Sequence, residues 1–186
     1  ADTEEGKTMN ALNVAISYAQ LGKKVLLIDA DMRKSHLRKK LHIEGKGGLS
    51  EYLAALTDDL NIHKEMDNLD VIVSGACPPN PAELLVGQRW YDLLEKSKSE
   101  YDVIFVDLPP LGIVSDALCL AEAATAYVVV VREWVTKFER TEMVVRKLES
   151  LDANICGIIY NGISAKSPDY NYKHYGKEYE EQGQDD

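Results

Sequence analysis

Lysine and arginine are the scarce charges in this 186-residue chain: 21 stand against 31 aspartates and glutamates, a formal net charge of -10. Binding a phosphate backbone needs a basic face, so this balance argues against nucleic acid as the main partner. Cysteine is equally sparse. Cys77, Cys119 and Cys156 are widely spaced and form no C-x-x-C pair, which argues against a zinc framework or a disulfide scaffold and leaves core or incidental thiols of a reducing compartment. His36, His42, His63 and His174 have no metal-ligand spacing and read as surface residues. Long apolar runs are missing too: the longest, around residues 123–131, falls far short of the ~18 residues a membrane span needs. There is no signal-peptide pattern, no internal repeat and no nucleophile-elbow motif of the kind that hydrolases carry.

What is present is an ordinary globular composition, 45% hydrophobic and 28% charged, on a chain long enough for one domain with a substantial core. Gly6-Lys7-Thr8 opens a helical pattern and offers backbone N–H groups, an ammonium and a hydroxyl to a polyphosphate and its Mg²⁺. Only the second half of G-x-x-x-x-G-K-[ST] is matched, because Ala1 stands at the first glycine position, and alone the tripeptide reads equally well as a helix start with a solvated lysine. Two further segments add weight. Val25-Leu26-Leu27-Ile28-Asp29-Ala30-Asp31 and Val103-Ile104-Phe105-Val106-Asp107 are unbroken aliphatic or aromatic runs ending in carboxylates. Such runs make buried parallel strands whose C-terminal ends meet at one sheet edge, where ligands of open α/β folds sit. Asp29, Asp31 and Asp107 are therefore expected to converge on the phosphates.

Along the chain, residues 9–21 carry Leu12, Ala15, Ile16 and Ala19 at helical spacing and Gly22 closes the helix. Residues 24–29 form a strand covered on both faces. A strand should lead into a P-loop, yet residue 1 already lies in the loop, so that strand is expected outside this sequence, which reads as a fragment. Residues 33–41 are a basic stretch with room for a short helix, 49–56 a helix and 69–73 a strand. Asn80-Pro81-Ala82-Glu83 gives an N-cap, a first-turn proline and a third-position glutamate for a helix running to about residue 98. After the strand at 102–107, Leu108-Pro109-Pro110 leaves in an extended loop. Ser115-Asp116 caps a helix to about residue 124, 127–131 is a strand, 137–151 a helix and 155–160 a last strand ending at Asn161. Alternating strands and helices imply an α/β architecture of three layers, a mostly parallel sheet with helices on both faces.

The character changes after residue 166. Residues 167–186 have almost no aliphatic side chains and are expected to form a flexible C-terminal tail. Four of the ten tyrosines, Tyr170, Tyr172, Tyr175 and Tyr179, fall there at spacings that fit neither a strand face nor a helix stripe. They read either as an aromatic docking tail or as phosphoryl acceptors. The basic run Arg33, Lys34, Arg38, Lys39 and Lys40 likewise has two readings, a solvated helix face or a dock for an acidic partner or the tail.

The set Gly6-Lys7-Thr8, Leu26-Leu27-Ile28-Asp29-Ala30-Asp31-Met32-Arg33, Gly48-Leu49-Ser50-Glu51-Tyr52-Leu53, Pro78-Pro79-Asn80-Pro81-Ala82-Glu83-Leu84-Leu85, Asp107-Leu108-Pro109-Pro110 and the terminal tyrosines resembles the bacterial tyrosine kinases of capsule and exopolysaccharide synthesis. The resemblance implies a P-loop NTPase-like kinase domain over residues 1–166 and a tail autophosphorylated between subunits of a homo-oligomeric ring. ATP and Mg²⁺ would be the cofactors. Glu5, Gly6, Lys7, Thr8 and Met9 would bind the nucleotide, with Asn161 at the adenine. Thr8, Asp29, Asp31 and Asp107 would serve the metal, and Lys7, Asp29 and Asp31 would be catalytic, one of these aspartates taking the proton of the incoming tyrosine. The implied partners are a transmembrane activator or polysaccharide chain-length regulator, separate or fused upstream, and a cognate tyrosine phosphatase. The implied location is the inner face of the bacterial cell membrane.

Two alternatives accompany this reading. Chromosome-partitioning and division-site ATPases share the architecture, but their signature lysine, five residues before the P-loop lysine, is replaced here by Asp2, and they lack a tyrosine cluster. An inactive assembly scaffold would explain Glu4 and Glu5, two negative charges expected to repel the phosphates unless they point to solvent.

Overall fold

The computed structural model describes residues 3–114 and 116–164. The tail tyrosines Tyr170, Tyr172, Tyr175 and Tyr179 lie outside them. Every side chain of β1 (Val25–Asp29) is buried, as its unalternating sequence requires of a strand covered on both faces. β3 (Leu69–Ile72) and β4 (Val103–Asp107) flank it in parallel, and β2 (Ile62–Met66) joins β3 antiparallel, giving the order β2-β3-β1-β4.

Alternation along β1 creates the two outer layers. Val25 and Leu27 face α1 (Lys7–Gln20), whose Leu12, Ala15 and Ala19 are buried against them together with Leu69 and Val71. Leu26 and Ile28 face the opposite way, toward Trp90, Leu93 and Leu94 of α5 (Gln88–Glu100) and Leu49 and Leu53 of α3 (Leu49–Leu53). Gly22 follows α1 at φ 81°, the left-handed geometry that a closing glycine supplies without strain.

Several local expectations are corrected. Strand β2 has no counterpart in the sequence reading: Ile62-His63-Lys64-Glu65-Met66 looks polar because it is a sheet edge, and Asn68 turns the chain back at φ 66°. The single helix expected to run to residue 98 is two, α4 (Pro81–Leu85) and α5, separated by Val86 and an extended Gly87. Glycine is among the poorest helix formers, and here it ends one helix and caps the next. Asn80 makes no side-chain cap; its amide donates to Glu83 Oε2 at 2.6 Å. Helix α3 stops at Leu53, with Ala55 left-handed at φ 56°. The segment after Ser115 is one 3₁₀ helix, Asp116–Leu120. The basic stretch contains the short α2 (Leu37–Lys40).

The parallel sheet is not continuous. β5 (Tyr127–Arg132) and β6 (Ile155–Asn161) form a separate parallel pair, backed by Val144 and Leu148 of α6 (Phe138–Glu149). Between β4 and β5 lies a slot of about 790 Å³, lined by Ile104, Phe105, Val106, Val128 and Val130 and by the α1 residue Val14. No described strand bridges it.

Candidate nucleotide and phosphoryl-transfer site

The register of β1 on β4 sets Asp29 opposite Asp107 at the C-terminal edge of the sheet, with Asp31 two residues further on. Both strand-end carboxylates are buried, and desolvation pushes Asp29 up to about 7 and Asp107 up to about 6. Hydrogen bonds to the charged form oppose this: Ser35 Oγ donates to Asp29 Oδ2 at 2.8 Å, the Asp31 N–H to Asp29 Oδ1 at 3.2 Å, and the Thr8 hydroxyl to Asp107. The Lys7 charge also favours ionised Asp107, so lysine, threonine and aspartate share one neighbourhood as the sequence reading requires.

The P-loop enters α1 through Gly6 at φ 88°, where a Cβ would run into the Asn161 amide. Asn10 Nδ2 caps the Gly6 carbonyl at 2.9 Å. Glu5 points inward, not to solvent as the low-repulsion case had required, and is fully buried. The Thr136 hydroxyl donates to its Oε1 at 2.6 Å, and Lys7 Nζ stands 3.7 Å from its Oε2. The charge is therefore compensated inside the loop, while Glu4 is exposed at φ 59°. Arg132 Nη1 donates to the Glu4 carbonyl at 2.9 Å and the Arg132 N–H to Thr136 Oγ1 at 2.9 Å. Asn161 Nδ2 donates to the Glu5 carbonyl at 2.8 Å, so here the residue expected at the adenine fastens the loop.

In front of the P-loop opens a cavity of about 310 Å³, lined by Lys7, Thr8, Met9, Asp31 and Pro109 among others. The donors suit Mg²⁺, a hard cation that takes one or two carboxylates and completes its shell with water and phosphate oxygens. Among the described residues no group of three carboxylate, imidazole or thiolate side chains is placed to hold a metal ion.

Ser35, Arg132 and Thr136 were not singled out by the sequence, nor was the role of Asp116. That carboxylate, expected to help cap a helix, is buried and takes a bidentate pair from Arg33, Nε to Oδ2 at 2.6 Å and Nη2 to Oδ1 at 3.1 Å. Ser35, four residues beyond Asp31, was within reach of a local reading. Arg132 and Thr136 lie over 120 positions from the loop they hold, and no spacing announces them.

Fold and site define an α/β P-loop protein, and a family model described as an AAA domain matches residues 5–140. The tyrosine-protein kinase etk of Escherichia coli (strain K12) is 36% identical over 176 residues, 92% of this chain and 24% of that protein. The tyrosine-protein kinase YwqD of Bacillus subtilis (strain 168) is 36% identical over 172 residues, 90% of this chain and 72% of that protein. The solved kinase domain of the E. coli tyrosine kinase ETK superposes with a TM-score of 0.83 at 35% identity, covering 89% of this chain and 66% of that one. The chain belongs to the bacterial tyrosine-protein kinase family. It spans about a quarter of the length of the first curated relatives it matches. Likeness at the level of fold alone extends to the septum site-determining protein MinD of Pyrococcus horikoshii, solved with Mg-ADP, at a TM-score of 0.70 and 21% identity over 86% of this chain and 66% of that one. No helix among the described residues is long and apolar enough to cross a membrane.

Proposed function

We propose that this chain is the catalytic domain of an ATP- and Mg²⁺-dependent protein-tyrosine kinase that phosphorylates Tyr170, Tyr172, Tyr175 or Tyr179 of another copy of itself. The observation that carries this reading is the meeting of Lys7, Thr8 and Asp107 with Asp29 and Asp31 beside a cavity that Asp31 lines. Lys7 and the first amides of α1 would hold the β- and γ-phosphates. Bound Mg²⁺, held by Thr8, Asp29, Asp31 and Asp107 directly or through water, would supply charge neutralisation on the phosphate oxygens. The phenol oxygen forms the new bond to the γ-phosphorus as the bond to ADP breaks, and its proton passes to Asp29 or Asp31. Asp31 is favoured by its place on the cavity wall. Positioning and charge compensation are sufficient for this transfer.

The proposal extends to a wider setting. One is named a putative tyrosine-protein kinase in the cps region of Klebsiella pneumoniae, and this chain spans 23% of its length. That supports a role in capsule or exopolysaccharide synthesis as part of a longer or partnered protein; a transmembrane regulator at the inner membrane face, a homo-oligomeric ring and a resetting tyrosine phosphatase belong to the same proposal. The slot between β4 and β5 supports a leading strand ahead of the P-loop, supplied by the longer protein.

The test is mass spectrometry of the whole protein after incubation with Mg-ATP, beside Lys7→Met. Phosphate on the tail tyrosines that disappears in Lys7→Met is the expected result. Release of inorganic phosphate with an unmodified tail would replace the kinase with a switch ATPase of the same fold, and absence of any ATP turnover would leave an assembly scaffold.

A further inference from the structure

In a chain of net charge -10, residues 33–46 hold six of the 21 basic side chains and only one of the 31 acidic ones, Glu44. The structure sorts this island by task. Arg33 is taken by Asp116, and Arg38 donates to the carbonyls of Gly45, at 2.8 Å, and Gly47, which pins the following loop. Arg33, Lys34, His36 and Lys40 all line the cavity in front of the P-loop, on the same segment as Asp31 and with Glu4 also in the lining, and the fully buried Leu37 anchors α2 between His36 and Lys40. Lys34 and Lys40 are exposed, so their ammonium groups remain in solvent and act on what enters the cavity mouth.

The nucleotide does not account for this wall. Its phosphates have Lys7 and the α1 amides, and an arriving Mg²⁺ adds two further positive charges. An incoming tyrosine must cross the wall to reach Asp31, and the chain carries a complementary sequence in Glu178-Tyr179-Glu180-Glu181. Adjacent residues of an extended peptide lie about 3.5 Å apart, which keeps those carboxylates within the reach of flexible lysines once the tyrosine is seated. Charge complementarity of this kind speeds encounter and fixes register, and it rejects like-charged segments.

Building on the kinase reading, we propose that Lys34, His36 and Lys40 form an acceptor-recognition wall that selects tyrosines flanked by carboxylates, Tyr179 of a second copy being the best match. Tyr172, followed by Lys173 and His174, is the poorer substrate.

The experiment measures kcat/KM of the whole protein, at saturating Mg-ATP, toward synthetic peptides spanning residues 174–184: the native sequence and one with Glu178, Glu180 and Glu181 replaced by lysine. The native peptide is expected to be preferred by about tenfold or more at low salt, the preference shrinking as ionic strength screens exposed charges. The Lys34→Glu/Lys40→Glu double variant is expected to invert the ratio in favour of the lysine peptide, a gain that misfolding cannot imitate. Equal use of both peptides by the unsubstituted protein would overturn the proposal. So would a double variant that slows both by one common factor, which would assign the lysines to the nucleotide. If ATP is consumed and neither peptide is phosphorylated, the kinase reading fails and this inference falls with it.

Discussion

The Glu5 carboxylate accepts a 2.6 Å hydrogen bond from the Thr136 hydroxyl while its other oxygen stands 3.7 Å from the Lys7 ammonium. Thr136 thus holds the buried carboxylate back from full contact with the lysine that the phosphates need. Without that bond Glu5 closes on Lys7 and competes with nucleotide. A hydrogen bond to a charged group contributes about 1.5–3 kcal/mol, so Thr136→Val is expected to weaken ATP-analogue binding by about tenfold or more, with Thr136→Ser near the parent. Titration calorimetry should also find a smaller effect of Thr136→Val in a Glu5→Gln background. An equal effect in both backgrounds would separate Thr136 from Lys7.

Asp29 and Asp107 make stability depend on pH in the direction opposite to a salt-bridged carboxylate. Burial raises them to about 7 and about 6, above the ordinary value of 3.8. The protonated forms are favoured by folding, so the associated stability is fully present below the unfolded value and is lost as pH rises through 6 to 7. Thermal melts without Mg²⁺ should show Asp29→Asn stabilising the protein at pH ~8 by on the order of 2–4 kcal/mol and flattening the dependence between pH ~5 and ~8. Added Mg-ADP should narrow the gap at pH ~8 by compensating the charge.

Arg33 is partly exposed, but its partner Asp116 is not. Arg33→Ala leaves a buried carboxylate without its bidentate donor and is expected to destabilise by about 2 kcal/mol in urea titrations, less than for a wholly buried pair because solvent reaches the arginine side. Arg33→Lys should restore little of this, since an ammonium cannot present two parallel N–H groups.

Trp90 is the largest fully buried side chain among the described residues, and its indole nitrogen finds no hydrogen-bond partner among them. Trp90→Phe removes that burden and keeps most of the apolar volume, so it should cost under about 1.5 kcal/mol, whereas Trp90→Ala opens a cavity and should cost about 3–5 kcal/mol. Denaturation midpoints read the difference directly.

The sequence was most legible where local chemistry and global packing agree. Val25–Asp29 could only be a doubly covered strand, and its terminal aspartate, with that of Val103–Asp107, could only reach the ligand edge. The pairing within the basic run was hidden: Arg33 and Lys34 are adjacent in sequence and both line the cavity, yet the Arg33 guanidinium is held by Asp116, 83 positions away. The setting of Glu5 was hidden for a related reason: its carboxylate is met by Thr136, 131 positions away, which tertiary structure alone brings to it. Trp134, an aromatic whose type suits either a core or an interface, is 91% exposed and so outside the core.

The slot between β4 and β5 bears on cooperativity. Where no backbone ladder crosses, β5, α6 and β6 can open as a unit of their own, at a free energy below that of the larger sheet. The bonds from Arg132, Thr136 and Asn161 to Glu4 and Glu5 span that seam. Partial opening of the small unit would therefore let go of the phosphate loop before the main sheet melts. Whatever fills the seam fuses two melting units into one, and with them the persistence of the nucleotide site.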